Sequence, residues 1–155
     1  MQSGWGAWDS SWVWSGALFA ITIAFHATGV VLITHMLVWF RAADKTGRLD
    51  NQSTPLRSIV LIVAVALCLS ILHAIEAMIW AVAYVELGAF SSPAVAALYS
   101  VDSMTTRGSG GLPVAQNWAM MGATEAGNGM LLFGISTAYL FAVMHGLWRK
   151  HLFAD

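Results

Sequence analysis

Residues 58–87 read SIVLIVAVALCLSILHAIEAMIWAVAYVEL, a run of thirty residues in which the acidic side chains are Glu76 and Glu86 and no Lys or Arg occurs. A helix needs about 20 consecutive apolar residues to cross the hydrocarbon core of a bilayer, so this stretch predicts a transmembrane helix. Residues 12–40 and 115–148 have the same character. The whole chain is 58% hydrophobic and 10% charged with a mean hydropathy of +0.69, whereas soluble domains carry about 25% charged residues. The sequence therefore predicts an all-α membrane protein with three spans.

The basic residues predict the orientation of these spans. Six of the seven Lys and Arg residues lie between the first two spans or after the third: Arg41, Lys45, Arg48, Arg57, Arg149 and Lys150. Positively charged loops stay in the cytoplasm, so the N-terminus is expected outside and the C-terminus inside. The net charge of −1 and the absence of other basic runs argue against a nucleic-acid partner. The lone Cys68 excludes an internal disulfide.

The segment between the second and third spans is too short to cross a membrane. Residues 88–93, GAFSSP, interrupt the chain, and 94–104 form an apolar stretch of half the spanning length. A loop with Gly108, Gly110 and Gly111 follows. Non-helical backbone at membrane depth occurs only where protein or a water-filled path surrounds it. This order favours a re-entrant helix and loop, although composition alone also fits an ordinary extracellular loop.

The stretch from Leu98 to Gly110, LYSVDSMTTRGSG, resembles the pore helix and selectivity filter of potassium channels, in which a serine, a valine, two threonines and two glycines stand in the same register. The segments 73–80, HAIEAMIW, and 125–138, EAGNGMLLFGISTA, are similar to the helices of small bacterial ion-channel proteins of this family. The resemblance covers residues 70–150 and implies a homotetramer around a central axis in the bacterial inner membrane.

By this resemblance the selectivity filter comprises Thr105, Thr106, Arg107, Gly108, Ser109 and Gly110. Filter carbonyls replace the hydration shell of the ion, and glycines permit the positive φ that such a backbone needs. Arg107 replaces the family's valine, Ser109 its tyrosine and Gly111 its aspartate, so ion selectivity is expected to be altered. We expect Arg107 to pair behind the filter with Asp102, because a buried arginine requires a partner. The alternatives are an Arg107 in extracellular water or one that faces the pore axis.

Four ionisable residues within the predicted spans form a second candidate site: His26, His73, Glu76 and Glu125. Such groups are costly in a membrane and are usually paired or functional. They fit a metal site, a proton relay or a structural network between helices. We favour the interhelical network, with no bound metal and no cofactor other than a monovalent ion in the filter. Gly129 and Gly134 are candidate bends in the third span.

The sequence thus predicts three units: an outer helix and cytoplasmic loop at 1–57, a potassium-channel-like pore at 58–150 and a short cytoplasmic tail at 151–155. The predicted function is a membrane ion channel subunit without enzymatic activity, embedded in the lipid bilayer and conducting cations with uncertain preference for K⁺. One alternative is a non-conducting structural or regulatory subunit derived from a channel. The other is a membrane protein with a His/Glu metal site.

Overall fold

The computed structural model describes residues 5–43, 55–108, 111–112 and 114–152, and within these ranges it contains helices and no strand. Helix α1 spans Trp5–Ala43, α2 Pro55–Glu86, α3 Pro93–Met104 and α4 Ala119–Leu152. A 3₁₀ turn at Gln116–Trp118 precedes α4. The predicted all-α class is therefore confirmed for the described residues.

Three of the helices are long and apolar enough to cross a membrane, over Ser11–Phe40, Leu56–Glu86 and Ala119–Trp148. These ranges confirm that each of the three apolar stretches predicted from hydropathy forms a helix of spanning length. The third begins four residues later than predicted because residues 116–118 form the 3₁₀ turn. The predicted cytoplasmic turn lies largely outside the described residues, as do Lys45 and Arg48 within it and residues 153–155 of the predicted tail.

The short helix α3 begins at Pro93, as favoured for proline at the first helical position, and packs against both α2 and α4. The core of the protein lies around it and consists of Leu18, Ala77, Trp80, Ala81, Tyr84, Ala96, Tyr99, Met104, Met121 and Leu132. Within this core the ring of Tyr99 lies 5.2 Å from that of Tyr84 and 5.0 Å from that of Phe90, measured between centroids. Aromatic packing therefore anchors the middle of α3 to the end of α2.

Candidate functional site

Helix α3 ends in a Schellman motif. The backbone N–H of Arg107 donates to the carbonyl of Asp102, and the N–H of Thr106 donates to that of Ser103, both at 3.0 Å. This pair of bonds needs a residue in the left-handed region, usually glycine, and here that residue is Thr106 with φ 57°. A β-branched residue is strained in this conformation. The turn therefore ends the helix directly after Met104.

The same turn brings Arg107 and Asp102 together. Arg107 Nη1 lies 3.2 Å from Asp102 Oδ1, so the two residues that the sequence predicted as partners form an ion pair. The Asp102 side chain is 3% exposed, whereas that of Arg107 is 70% exposed in the single chain. The carboxylate is therefore the buried member of the pair. The guanidinium reaches it from the surface.

The loop that follows is exposed in the single chain. Thr105, Thr106, Arg107 and Gly108 all lie at the surface, and Gly108 has φ +85°. Gly111 also has a positive φ, at 84°. Ser109 and Gly110, the two remaining residues of the predicted filter, lie outside the described residues. The positive φ of Gly108 agrees with the glycine conformation predicted for the loop, whereas the prediction for Gly110 lies outside the described residues.

Glu125 ties α3 to the two long helices beside it. The hydroxyl of Tyr84 on α2 donates to Glu125 Oε2 at 2.8 Å, and Ser100 on α3 donates to Glu125 Oε1. Ser100 Oγ also lies 2.7 Å from the carbonyl oxygen of Ala77. Glu125, Tyr84 and Ser100 are all buried. One carboxylate therefore connects all three helices around the middle of α3.

Two glycines of α4 allow α3 to pack closely against it. A Cβ atom added to Gly122 would overlap the hydroxyl of Tyr99. A Cβ added to Gly129 would overlap the carbonyl oxygen of Met104 and lie 2.8 Å from its Cα and carbonyl carbon. Gly134 has no neighbour within 4 Å of such an atom. Helix α4 is continuous through both candidate bends, and the close contact at Gly129 is one reason for glycine there.

A second polar cluster lies between α1, α2 and α4. His26 Nδ1 is 2.8 Å from Glu76 Oε1, and His73 Nδ1 is 3.0 Å from Glu76 Oε2. On the other side of both rings, Ser136 Oγ lies 2.9 Å from His73 Nε2 and 3.2 Å from His26 Nε2. His26 and Glu76 are fully buried, and His73 is 11% exposed and stacks on Phe133. The four side chains form a closed cycle of polar contacts.

The structure thus divides the predicted polar network in two. It brings His26, His73 and Glu76 together, but Glu125 bonds to other partners near α3. Both groups include hydrogen bonds between different helices, which fits the interhelical network predicted from the sequence. Ser136 was not identified from the sequence, because a serine in an apolar span carries no signal of its own and lies 63 residues from His73. Tyr84 and Asn128, which donates to Thr22 Oγ1 at 2.5 Å, were missed for the same reason.

Comparison with known proteins gives no family or relative for the chain, so the proposed function rests on the contacts described above. No protein-family model matches the chain, and searches of curated proteins and of solved structures found no match.

Proposed function

We propose that this chain is a subunit of a tetrameric membrane ion channel, in which the loop after α3 surrounds a path for monovalent cations. The observation that carries the proposal is the contact between the end of α3 and Gly129 of α4. Gly129 lies ten residues after Ala119, the start of α4, which is about 15 Å along the helix axis at 1.5 Å per residue. That distance is about half of the roughly 30 Å hydrocarbon core.

The contact of α3 with α2 supports the same depth. Ser100 Oγ lies 2.7 Å from the carbonyl oxygen of Ala77, which is nine residues before the end of α2 at Glu86 and therefore about 14 Å from that end. Both long helices thus extend well beyond α3 on one side. A helix that enters to half depth and then turns back is the expected geometry of a re-entrant pore element.

The exposed loop supports an assembly of several copies. The N–H groups of Thr105, Thr106 and Arg107 bond back to α3, but residues 105–108 follow the helix and are exposed in the single chain, and lipid cannot satisfy the carbonyl groups of such a loop. Copies of the same loop around one axis would shield one another and enclose water. The number four rests on the resemblance of residues 98–110 to potassium channels.

The free face of α4 supports a pore-lining role. Its buried residues lie on one side of the helix: Met121, Gly122, Glu125, Asn128, Gly129, Leu132 and Ser136. The opposite side is exposed in the single chain and carries small residues at Ala123, Gly127, Gly134 and Ala138 together with the larger Met130 and Phe141. The small residues leave room for a cavity between the larger side chains. We propose that this face borders the ion path.

The Arg107 contact supports cations over anions. Four arginines that faced the axis would repel cations, but here the guanidinium lies against the buried carboxylate of Asp102. The C-terminal end of α3 also carries the negative end of its helix dipole. Ser109 and Gly111 lack the side chains that brace the filter in the family that the loop resembles. We therefore expect little discrimination between K⁺ and Na⁺.

Flux measurements with the purified protein in liposomes test the proposal. K⁺ and Na⁺ should both pass and Cl⁻ should not. Gly108→Ala should reduce the flux strongly, because alanine is strained at φ +85°. Gly146→Ala is the matched control, since Gly146 lies in α4 with open space around it. Flux of Cl⁻ alone would indicate that Arg107 faces the path, and tetramers that pass no ion would favour the non-conducting alternative.

Native mass spectrometry and labelling test the assembly and topology. The protein in detergent should be a tetramer, and a monomer or dimer as the only species would exclude the proposed pore. We propose an N-terminus outside and a C-terminus in the cytoplasm of a bacterial inner membrane. A cysteine introduced at Gly47 should react with impermeant reagents from the cytoplasmic side only, and one at Gln2 from outside only. Labelling of both from one side would contradict the three-span topology.

A further inference from the structure

The cluster between α1, α2 and α4 has four polar contacts, but only three protons for them when Glu76 is ionised and both histidines are neutral. An ionised Glu76 accepts only, so the Nδ1 atoms of His26 and His73 must both carry protons to bond with it. In neutral imidazoles both Nε2 atoms are then acceptors. Ser136 has one hydroxyl proton for the two of them. One Nε2 atom is left facing an oxygen lone pair.

We propose that His26, His73 and Glu76 bind a divalent transition-metal ion such as Zn²⁺ through the two Nδ1 atoms and the carboxylate. The three residues each offer a ligand atom, and these atoms lie within 4.8 Å of one another. Neutral imidazole and carboxylate are ordinary ligands of such ions. The ion lies between the two rings and the carboxylate. In the hydrogen-bonded form, two N–H protons occupy this position.

Metal binding resolves the shortage of protons at Ser136. With Nδ1 bound to the ion, each neutral histidine carries its proton on Nε2. The serine oxygen has two lone pairs, so it accepts from both Nε2–H groups at the observed 2.9 and 3.2 Å. Histidine ligands generally donate their second N–H to such a partner, which fixes the ring and its tautomer. Ser136 is thus a positioning residue for both ligands.

Metal binding requires small adjustments of the side chains in the cluster. Two ligand atoms of a tetrahedral ion with bonds of about 2.0–2.1 Å lie roughly 3.3 Å apart. His26 Nδ1 lies 2.8 Å from Glu76 Oε1 and His73 Nδ1 lies 3.0 Å from Glu76 Oε2, so a histidine and the oxygen beside it must move apart by a few tenths of an ångström where both bind the ion. Three protein ligands leave a fourth position for water or a small ligand. His73, the partly exposed member, marks the side from which this position is reached.

One additional proton on the cluster would also complete all four hydrogen bonds, and the test must distinguish it from a metal. The purified protein in detergent is stripped with a chelator and titrated with Co²⁺, whose visible absorption reports coordination geometry. The proposal predicts one Co²⁺ per chain with tetrahedral-type absorption. His26→Ala, His73→Ala and Glu76→Gln should abolish this signal. His35→Ala and His145→Ala, exposed histidines on α1 and α4, are the controls and should retain it.

Ser136→Ala keeps all three ligands and separates positioning from folding. It should still bind Co²⁺ but with an affinity lower by about 10- to 100-fold. Should the ligand variants fail to assemble, ¹⁵N NMR of the wild-type histidines decides, because Co²⁺ must perturb two histidines and spare the others. A stripped protein that binds no Co²⁺ would overturn the metal proposal, and an additional proton on Glu76 or on one histidine would then complete the four hydrogen bonds. Ion flux is a separate measurement, so either proposal can fail alone.

Discussion

Replacing Gly129 by alanine should displace the end of α3. The added methyl group would overlap the carbonyl oxygen of Met104 and lie 2.8 Å from the Cα and carbonyl carbon of that residue. All three atoms belong to the backbone, so rotation of a side chain cannot relieve the contact. Helix α3 or α4 must shift instead, and the Schellman turn that begins at Met104 must shift with it.

The size of this effect can be estimated from two opposing contributions. Overpacking a core typically costs about 1–3 kcal/mol, and contact with backbone favours the upper part of that range. Alanine in place of glycine within a helix stabilises it by about 1 kcal/mol. Gly134→Ala gains the helix stabilisation without the cost of overpacking, since nothing lies within 4 Å of the new atom. The two variants should therefore differ in stability by about 1–3 kcal/mol.

Thermal unfolding of both variants in the same detergent measures this difference. At about 2–4 °C per kcal/mol for a chain of this size, a difference near 2 kcal/mol corresponds to about 4–8 °C in Tm. Gly129→Ala should melt below the wild type and Gly134→Ala at or above it. Equal melting temperatures for the two variants would refute the close approach of α3 to α4, and with it the depth argument for the re-entrant element.

Three further substitutions test the site. Arg107→Gln should lower the free energy of unfolding by about 1–3 kcal/mol, because it leaves the buried carboxylate of Asp102 unpaired. Asp102→Asn leaves an exposed guanidinium and should lower it by less. The reverse order in urea unfolding would show that the guanidinium is buried in the assembly. Thr106→Gly should raise the free energy of unfolding by about 1 kcal/mol, because glycine relieves the strain of the left-handed conformation. Loss of the hydroxyl should reduce ion flux. A lower Tm would contradict the φ of this residue. Tyr84→Phe removes a hydrogen-bond donor to the buried carboxylate of Glu125 and should lower the free energy of unfolding by about 1–3 kcal/mol. Tyr139 has a more exposed hydroxyl, so Tyr139→Phe serves as the control in the same thermal unfolding experiment.

The sequence predicts that Asp102 pairs with Arg107, but it does not predict which of the two side chains is buried. Their spacing of five residues at the end of a short helix limits the distance between the two side chains, and the structure indeed brings them together. The sequence could not indicate which of the two is buried. That depends on how α3 packs against α2 and α4, with Asp102 buried and Arg107 at the surface of the single chain.

The polar residues within the spans show the opposite case. Their cost in a membrane predicts that each finds a partner, but four such residues permit several pairings. The helix register decides that Glu125 lies beside Tyr84 and Ser100 and that Glu76 lies between two histidines. A shift of α4 by one residue would turn each of its side chains by about 100°. The pattern of hydrophobic residues alone does not define the register that closely.

The sequence alone determined that the protein is helical and has three apolar spans with a short helix before the third, because hydrophobic length and proline and glycine positions act locally. Only the tertiary structure decided where α3 packs, since its position against α2 and α4 depends on glycines at 122 and 129 and on the contacts of Ser100. It also decided that Ser136 completes the histidine cluster. These contacts join residues far apart in the chain, and such contacts are specified by the packing of whole helices rather than by any one segment.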